Sequence, residues 1–200
     1  QMGEFDKVIK LNHSLEYGYI AMEDQNDYYR STEYRRKKYG ELNFYDQMSV
    51  FAGYPQHKGM IGEVYFTQEE EDIVRDIYER EYKDKFVIMC NLSGTSKHKL
   101  VFNAEEIVKR FLERHKEAVC ITIGDEDCRE HIEFKGDRII NRAGTFDRGR
   151  YSFPQSMLMA KYADMMLSGE SGVAIAATLF GTPTVQLMNA AGIKQHGGDF

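Results

Sequence analysis

Ala163-Asp164-Met165-Met166-Leu167-Ser168-Gly169-Glu170-Ser171-Gly172 runs directly into Val173-Ala174-Ile175-Ala176-Ala177-Thr178-Leu179-Phe180 and then Gly181-Thr182-Pro183-Thr184-Val185. Met165 to Leu167 is a short apolar run of strand type. Gly172 to Phe180 is Ala-rich and reads as a helix that stops at Gly181, and Pro183 opens a further strand, Thr184 to Leu187. The polar turn between strand and helix is where chemistry is expected. A helix N-terminus carries free N–H groups and positive partial charge, which favour phosphate. Gly169 and Gly172 allow a sharp turn and close backbone approach, Ser171 adds a hydroxyl, and Glu170 suits a sugar or ribose hydroxyl. The plainer role for Glu170 and Ser171 is capping of the helix alone.

Working backward, the same alternation recurs. Phe86-Val87-Ile88-Met89-Cys90 is a continuous apolar run, the pattern of a strand buried on both faces of a parallel sheet. Asn103 and Glu106 then read as N-cap and third helical residue of a helix whose apolar face is Ile107, Val108, Phe111 and Leu112. Val119 to Ile123 is the next strand and Ile139-Ile140 a short third. Ser152 and Pro154 open a helix directing Met157, Leu158 and Tyr162 to the core. Ahead of all these, Thr67-Gln68-Glu69-Glu70 is a capping box, starting a helix to about Tyr82 with Ile73, Val74, Ile77 and Tyr78 on one stripe. Strands alternating with helices in this way predict an α/β, Rossmann-like parallel sheet with helices on both faces and right-handed crossovers.

In such a sheet ligands bind outside the carboxyl ends of the strands. After the first strand comes Asn91-Leu92-Ser93-Gly94-Thr95-Ser96-Lys97-His98-Lys99, whose small residues, hydroxyls and two lysines suit a diphosphate, or equally a solvated surface turn. After the second comes Gly124-Asp125-Glu126-Asp127. Its carboxylates suit ribose hydroxyls, while the Asp-x-Asp spacing suits a divalent metal. Asp125 or Asp127 serves more readily as a helix cap, so no metal is assigned. Of the six histidines, only His98, inside the proposed phosphate loop, is retained as a candidate; the others have surface or capping roles.

Composition narrows the class. A formal charge of -6 argues against a general nucleic-acid binder. The exception is Arg30 to Lys38, basic residues interleaved with tyrosines, read as a solvated segment, with anionic lipid or saccharide contact as the sharper alternative. No apolar run approaches the roughly 20 residues of a membrane span. Cys90, Cys120 and Cys128 lack zinc or disulfide spacing and fit a reducing, cytoplasmic setting. Residues before about 66 are rich in Tyr, Gly and charge, with one strand, Lys7 to Asn12, and one amphipathic stretch, Tyr39 to Ala52. Both ends read as cut, so the sequence is treated as a fragment.

The segment Ala163–Gly172, with Ala176-Ala177 and Phe180-Gly181-Thr182-Pro183-Thr184-Val185, resembles the carboxy-terminal signature of glycosyltransferase family nine, which contains the ADP-heptose:lipopolysaccharide heptosyltransferases. The likeness extends through Phe86–Lys99 and Ile121–Asp127 and covers about Tyr65 to Gln186; Phe44 to Glu71 is similar to the family's connecting region. The resemblance implies half of a GT-B fold, with residues 67–200 as the nucleotide-sugar-binding domain. Residues 1–66 would be the remnant of an acceptor-side domain and its connector. The implied donor-binding residues are Ser93, Thr95, Ser96, Lys97, Lys99, Gly124, Asp125, Glu126, Gly169, Glu170, Ser171 and Gly172. Two positions depart from the family: Glu170 replaces its Asp, and Ile175 replaces its His.

The implied reaction is an inverting, metal-independent transfer from a nucleotide-diphosphate sugar to a saccharide or lipid-linked saccharide acceptor, of the kind used in lipopolysaccharide biosynthesis. It implies no cofactor, no nucleic acid and at most peripheral contact with the inner face of the membrane. The family's general base has no counterpart here, so this chain alone is expected to be inactive and its catalytic residue is unassigned. The competing reading is a non-catalytic nucleotide- or sugar-binding module. A dinucleotide-dependent dehydrogenase is disfavoured because no Gly-x-Gly-x-x-Gly follows the first strand.

Overall fold

The computed structural model describes residues 26, 29–31, 33, 34, 37, 62–93, 100–126, 128, 134–144 and 149–187. The chain divides into two compact units, Gln1–Ile61 with Ala190–Phe200, and Gly62–Asn189. In the first, the Arg30 guanidinium lies 5.8 Å over the Tyr34 ring, and Ser31 Oγ accepts from the Tyr34 N–H at 3.2 Å. The expected strand Lys7 to Asn12 and the amphipathic stretch Tyr39 to Ala52 lie outside the described residues.

The second unit is a five-stranded, wholly parallel sheet flanked by helices. Its elements are α1 (Gln68–Glu81), β1 (Phe86–Asn91), α2 (Ala104–Arg114), β2 (Ala118–Thr122), β3 (Ile139–Asn141), α3 (Phe153–Tyr162), β4 (Met165–Ser168), α4 (Gly172–Leu179) and β5 (Thr184–Gln186). Strand order is β3-β2-β1-β4-β5. Val87 is level with Val119, Ile88 with Met165, Ile121 with Ile140 and Leu167 with Val185. This is the Rossmann-like α/β architecture expected from the spacing.

The continuous apolar run of β1 is explained by burial on both sides. Val87 and Met89 join Val119, Ile121, Leu158, Met159, Met166, Val173 and Ala177 under α1, α3 and α4. Ile88 and Cys90 face Ala104, Val108, Leu112 and Phe134 on the other side, under α2. Tyr78 and Tyr162 stack at 5.2 Å where α1 meets α3. Asp164 extends the β1–β4 pairing: its carboxylate accepts from Val87 N–H at 2.7 Å and its own N–H donates to Val87 O at 3.0 Å.

The Thr67 capping box forms in full, with Glu70 N–H donating to Thr67 Oγ1 at 3.2 Å and Thr67 N–H to Glu70 Oε2 at 2.9 Å. A second box, Ser152 with Gln155, opens α3 and goes unread in the sequence. Two expectations need correction. Asn103 precedes α2 as expected, but with φ 62° it is left-handed and its side chain makes no cap bond. An N-cap bond needs an extended backbone at that residue, whereas Asn is here because it tolerates the left-handed region. Ile73 and Ile107 are 42% and 38% exposed: each lies at the margin of its stripe, beyond the reach of the sheet, while Val74, Val108 and Leu112 are buried. In α3, Met157, Leu158 and Tyr162 face the core as expected, and Met159 and Ala160 are buried with Leu158.

The three cysteines are free and buried. The Cys120 thiol, 3.2 Å from Cys90 on the neighbouring strand, together with burial pushes the Cys90 thiol well above its ordinary range. Both act as core residues. Among the described residues, no helix is long and apolar enough to cross a membrane.

Candidate functional site

The strand order reverses between β1 and β4: β1 leads through α2 to β2 on one side, while β4 lies on its other side and leads outward to β5. In open parallel sheets the crevice at such a reversal, outside the carboxyl ends of the strands, is where ligands bind. The two segments meeting there are Asn91-Leu92-Ser93 and Ser168-Gly169-Glu170-Ser171-Gly172.

A chain of hydrogen bonds locks the two together. Asn91 O accepts from Gly169 N–H at 2.9 Å and from Ser168 Oγ at 3.2 Å. Ser168 Oγ lies 3.0 Å from Ser171 Oγ, which in turn accepts from Ala174 N–H at 3.2 Å. Since Ser168 gives its proton to the Asn91 carbonyl, Ser171 must donate to Ser168. Ser171 is thus the N-cap of α4, and its proton is committed within the protein. The donors left to a ligand at this end are the first-turn N–H groups of Gly172 and Val173, which have no intrahelical acceptor. Gly172 is exposed at the opening, and a Cβ there would come within 3.1 Å of the Phe153 ring.

Asn91 and Ser93 are buried at the end of β1, with 9% and 5% exposure; Ser93 bonds to the Cys128 thiol, and among the described residues nothing donates to Asn91 Oδ1. Leaving such a group unsatisfied costs about 1–3 kcal/mol. The nearest chemistry to Ser93 is the Cys128 thiol. Burial and the Asp125 carboxylate push that thiol up, with Ser93 opposing them, which makes it a poor nucleophile. Glu170 is half-buried in the same turn, with its Oε1 enclosed.

At the end of β2, Gly124 adopts φ 148°, a conformation few other residues take. The exposed Asp125 accepts from Cys128 N–H at 2.9 Å, so it caps the following turn, the role favoured on sequence grounds. Glu126 beside it is exposed. Arg142, which follows β3, holds Glu81 at 3.1 Å and Gly149 O at 3.3 Å and lies over the Tyr151 ring. Its charge serves the fold.

Of the sequence-derived candidates, Gly169, Glu170, Ser171 and Gly172 lie at the β1/β4 reversal, Ser93 follows β1 and bonds to the Cys128 thiol, and Gly124, Asp125 and Glu126 stand at the end of β2. Thr95, Ser96, Lys97, His98 and Lys99 lie outside the described residues. Asn91 and Ser168 are additions. Their signal in the sequence is a polar residue ending an apolar strand run. Among the described residues, no three His, Cys, Asp or Glu side chains converge on a point.

No protein-family model and no curated protein matches the chain. Solved structures do. A glycosyl transferase family 9 protein from Veillonella parvula DSM 2008 superposes with a TM-score of 0.56 at 14% identity, over 68% of this chain and 40% of that one. The E. coli ADP-heptose LPS heptosyltransferase II gives a TM-score of 0.53 at 12% identity, over 72% of this chain and 44% of that one. The chain therefore spans less than half the length of these structures. At such identities the likeness establishes a shared fold alone.

Proposed function

We propose that residues 67–200 are the donor-binding half of a GT-B glycosyltransferase of heptosyltransferase-like type. It would bind a nucleotide-diphosphate sugar for inverting, metal-independent transfer to a saccharide or lipid-linked saccharide. The observation that carries this reading is a coincidence of topology and chemistry: the α4 N-terminus, Glu170 and the buried amide oxygen of Asn91 all fall at the β1/β4 reversal.

The chemistry follows from the residues. The leaving diphosphate gains charge in the transition state, and the fixed N–H groups of Gly172 and Val173, with Lys97 or Lys99 from the preceding loop, stabilise that charge without reorganising. Ser171 and Ser168 hold the turn in place. Glu170 accepts from sugar or ribose hydroxyls, and Asp125 or Glu126 from the nucleoside. A carboxylate on the acceptor side takes the proton of the attacking hydroxyl. In this reading residues 1–66 belong to that side and its connector, and the enzyme works in the cytoplasm, reaching the inner face of the membrane for its acceptor.

The test is calorimetric titration of the chain with ADP, UDP, GDP and CDP, repeated on Lys97→Ala and Glu170→Ala. One diphosphate is expected to bind in preference to the rest, and each substitution to weaken it about tenfold or more, the weight of a charged hydrogen bond. A folded sample that binds none of the four overturns the reading.

A further inference from the structure

We propose that Asn91 is a specificity-determining residue whose buried amide oxygen accepts a hydrogen bond from a hydroxyl of the bound sugar or ribose. The assignment rests on the donor-site reading above and goes beyond it in naming which part of the ligand lies over β1.

Strand alternation places Asn91 on the same face as Val87 and Met89, the face covered by α4 through Val173, Ala174 and Ala177. Its side chain therefore lies beneath the end of the sheet at which α4 begins. Its backbone is pinned from outside, since the carbonyl takes both Gly169 N–H and Ser168 Oγ. The amide cannot find a partner by a small shift of the strand. Among the described residues nothing donates to Oδ1, which is left enclosed in a residue only 9% exposed. Buried polar groups in native structures are nearly always paired, so an orphan of this kind at a ligand crevice points to a partner supplied by the ligand.

The partner's chemistry follows from the sign of the atom. A carbonyl-type oxygen only accepts, and a diphosphate near neutral pH offers only acceptors. Phosphate belongs instead at the donor-rich start of α4. The group over Asn91 must be a donor, an O–H of the ribose or transferred sugar or an N–H of the base; the position of Asn91 beside the phosphate-holding start of α4 favours the hydroxyls, which adjoin the diphosphate. The crevice thus divides into a donor end, Gly172 and Val173, and an acceptor end, Asn91 with Glu170. That division selects a sugar-bearing diphosphate over a bare one.

The experiment uses the whole chain as wild type, Asn91→Leu and Asn91→Ala. It combines thermal unfolding without ligand with titrations of ADP, UDP, GDP, CDP, ADP-glucose, UDP-glucose, GDP-mannose and inorganic pyrophosphate. Asn91→Leu should unfold at the wild-type temperature or above it, because an unsatisfied polar group has been removed. It should also bind the preferred sugar-bearing ligand about tenfold more weakly, and pyrophosphate unchanged. A loss already present with the free nucleoside diphosphate identifies the ribose hydroxyl; one confined to the nucleotide sugars identifies the transferred sugar. Asn91→Ala should show the same selective loss if the leucine variant does not fold. Unchanged sugar-ligand affinity, an equal loss for pyrophosphate, or a lower unfolding temperature in both variants overturns the assignment and leaves the donor-site reading standing. A wild type that binds none of the nucleotides removes both.

Discussion

Replacing Arg138 with alanine is expected to lower the unfolding free energy by about 3 kcal/mol, because one guanidinium donates to four backbone carbonyls where α2 turns into β2. Arg138 donates to Leu112 O, to His115 O at 2.7 Å, to Lys116 O at 3.2 Å and to Ala118 O at 3.0 Å. The first two close the carboxyl end of α2, where helical carbonyls have no intrahelical partner; the others fix the turn into β2. Its own carbonyl accepts from Cys120 N–H at 2.9 Å, so the clamp joins α2, β2 and the approach to β3. Lysine keeps the charge and loses the planar fork, and should recover less than half of the deficit. Urea unfolding of wild type, Arg138→Ala and Arg138→Lys measures this; a loss below about 0.5 kcal/mol, the level of an ordinary surface change, contradicts it.

Ser171→Asp is expected to separate stability from ligand binding. Aspartate is as good an N-cap as serine, so Ala174 N–H keeps its acceptor and unfolding should stay within about 0.5 kcal/mol of wild type. Ser168 Oγ, now 3.0 Å from Ser171 Oγ, can turn its proton to the new carboxylate. The same carboxylate places a negative charge beside the N–H groups offered to phosphate. Like unit charges about 4 Å apart oppose one another by about 4 kcal/mol at an effective dielectric of about 20. Half of that survives moderate screening and is a loss of about thirtyfold in affinity. Ser171→Ala should behave in the opposite way, losing about 1 kcal/mol of stability with the cap and less affinity than the aspartate variant. Thermal unfolding with calorimetry on both variants decides it. An aspartate variant that binds a nucleoside diphosphate as tightly as wild type rules out phosphate at this helix start.

The parts of the fold legible in the sequence were those written locally. The unbroken run Phe86–Cys90 implied a strand covered on both faces, and both faces are covered. Thr67 and Glu70 are three residues apart, so their reciprocal bonds depend on little beyond helix formation. Gly181, with φ 76°, ends α4 where its glycine said it would. Misreadings arose where a residue type serves two purposes. Asn103 looks the same whether it caps through its side chain or occupies a left-handed turn. Periodicity places Ile73 and Ile107 on an apolar stripe but does not say how far the covering sheet extends.

The candidate site was legible for a different reason: Ser168–Gly172 combines strand end, turn and helix start in one continuous segment. What it meets was hidden. Pairing with Asn91 spans 77 residues, and nothing near Asn91 marks its oxygen as unsatisfied. The Arg138 clamp likewise reaches back 20 to 26 residues, to carbonyls that carry no side-chain signature.

In the donor-site reading, a diphosphate sits at the β1/β4 reversal. The most direct test is to follow backbone amide resonances of the isotopically labelled chain as ADP, UDP, GDP or CDP is added. The largest changes for the diphosphate that binds are expected at Gly169, Gly172 and Val173, with Asn91 beside them. Changes centred on the opposite edge of the sheet, at Phe86, Ala118 and Met165, or no change with any of the four, would contradict it.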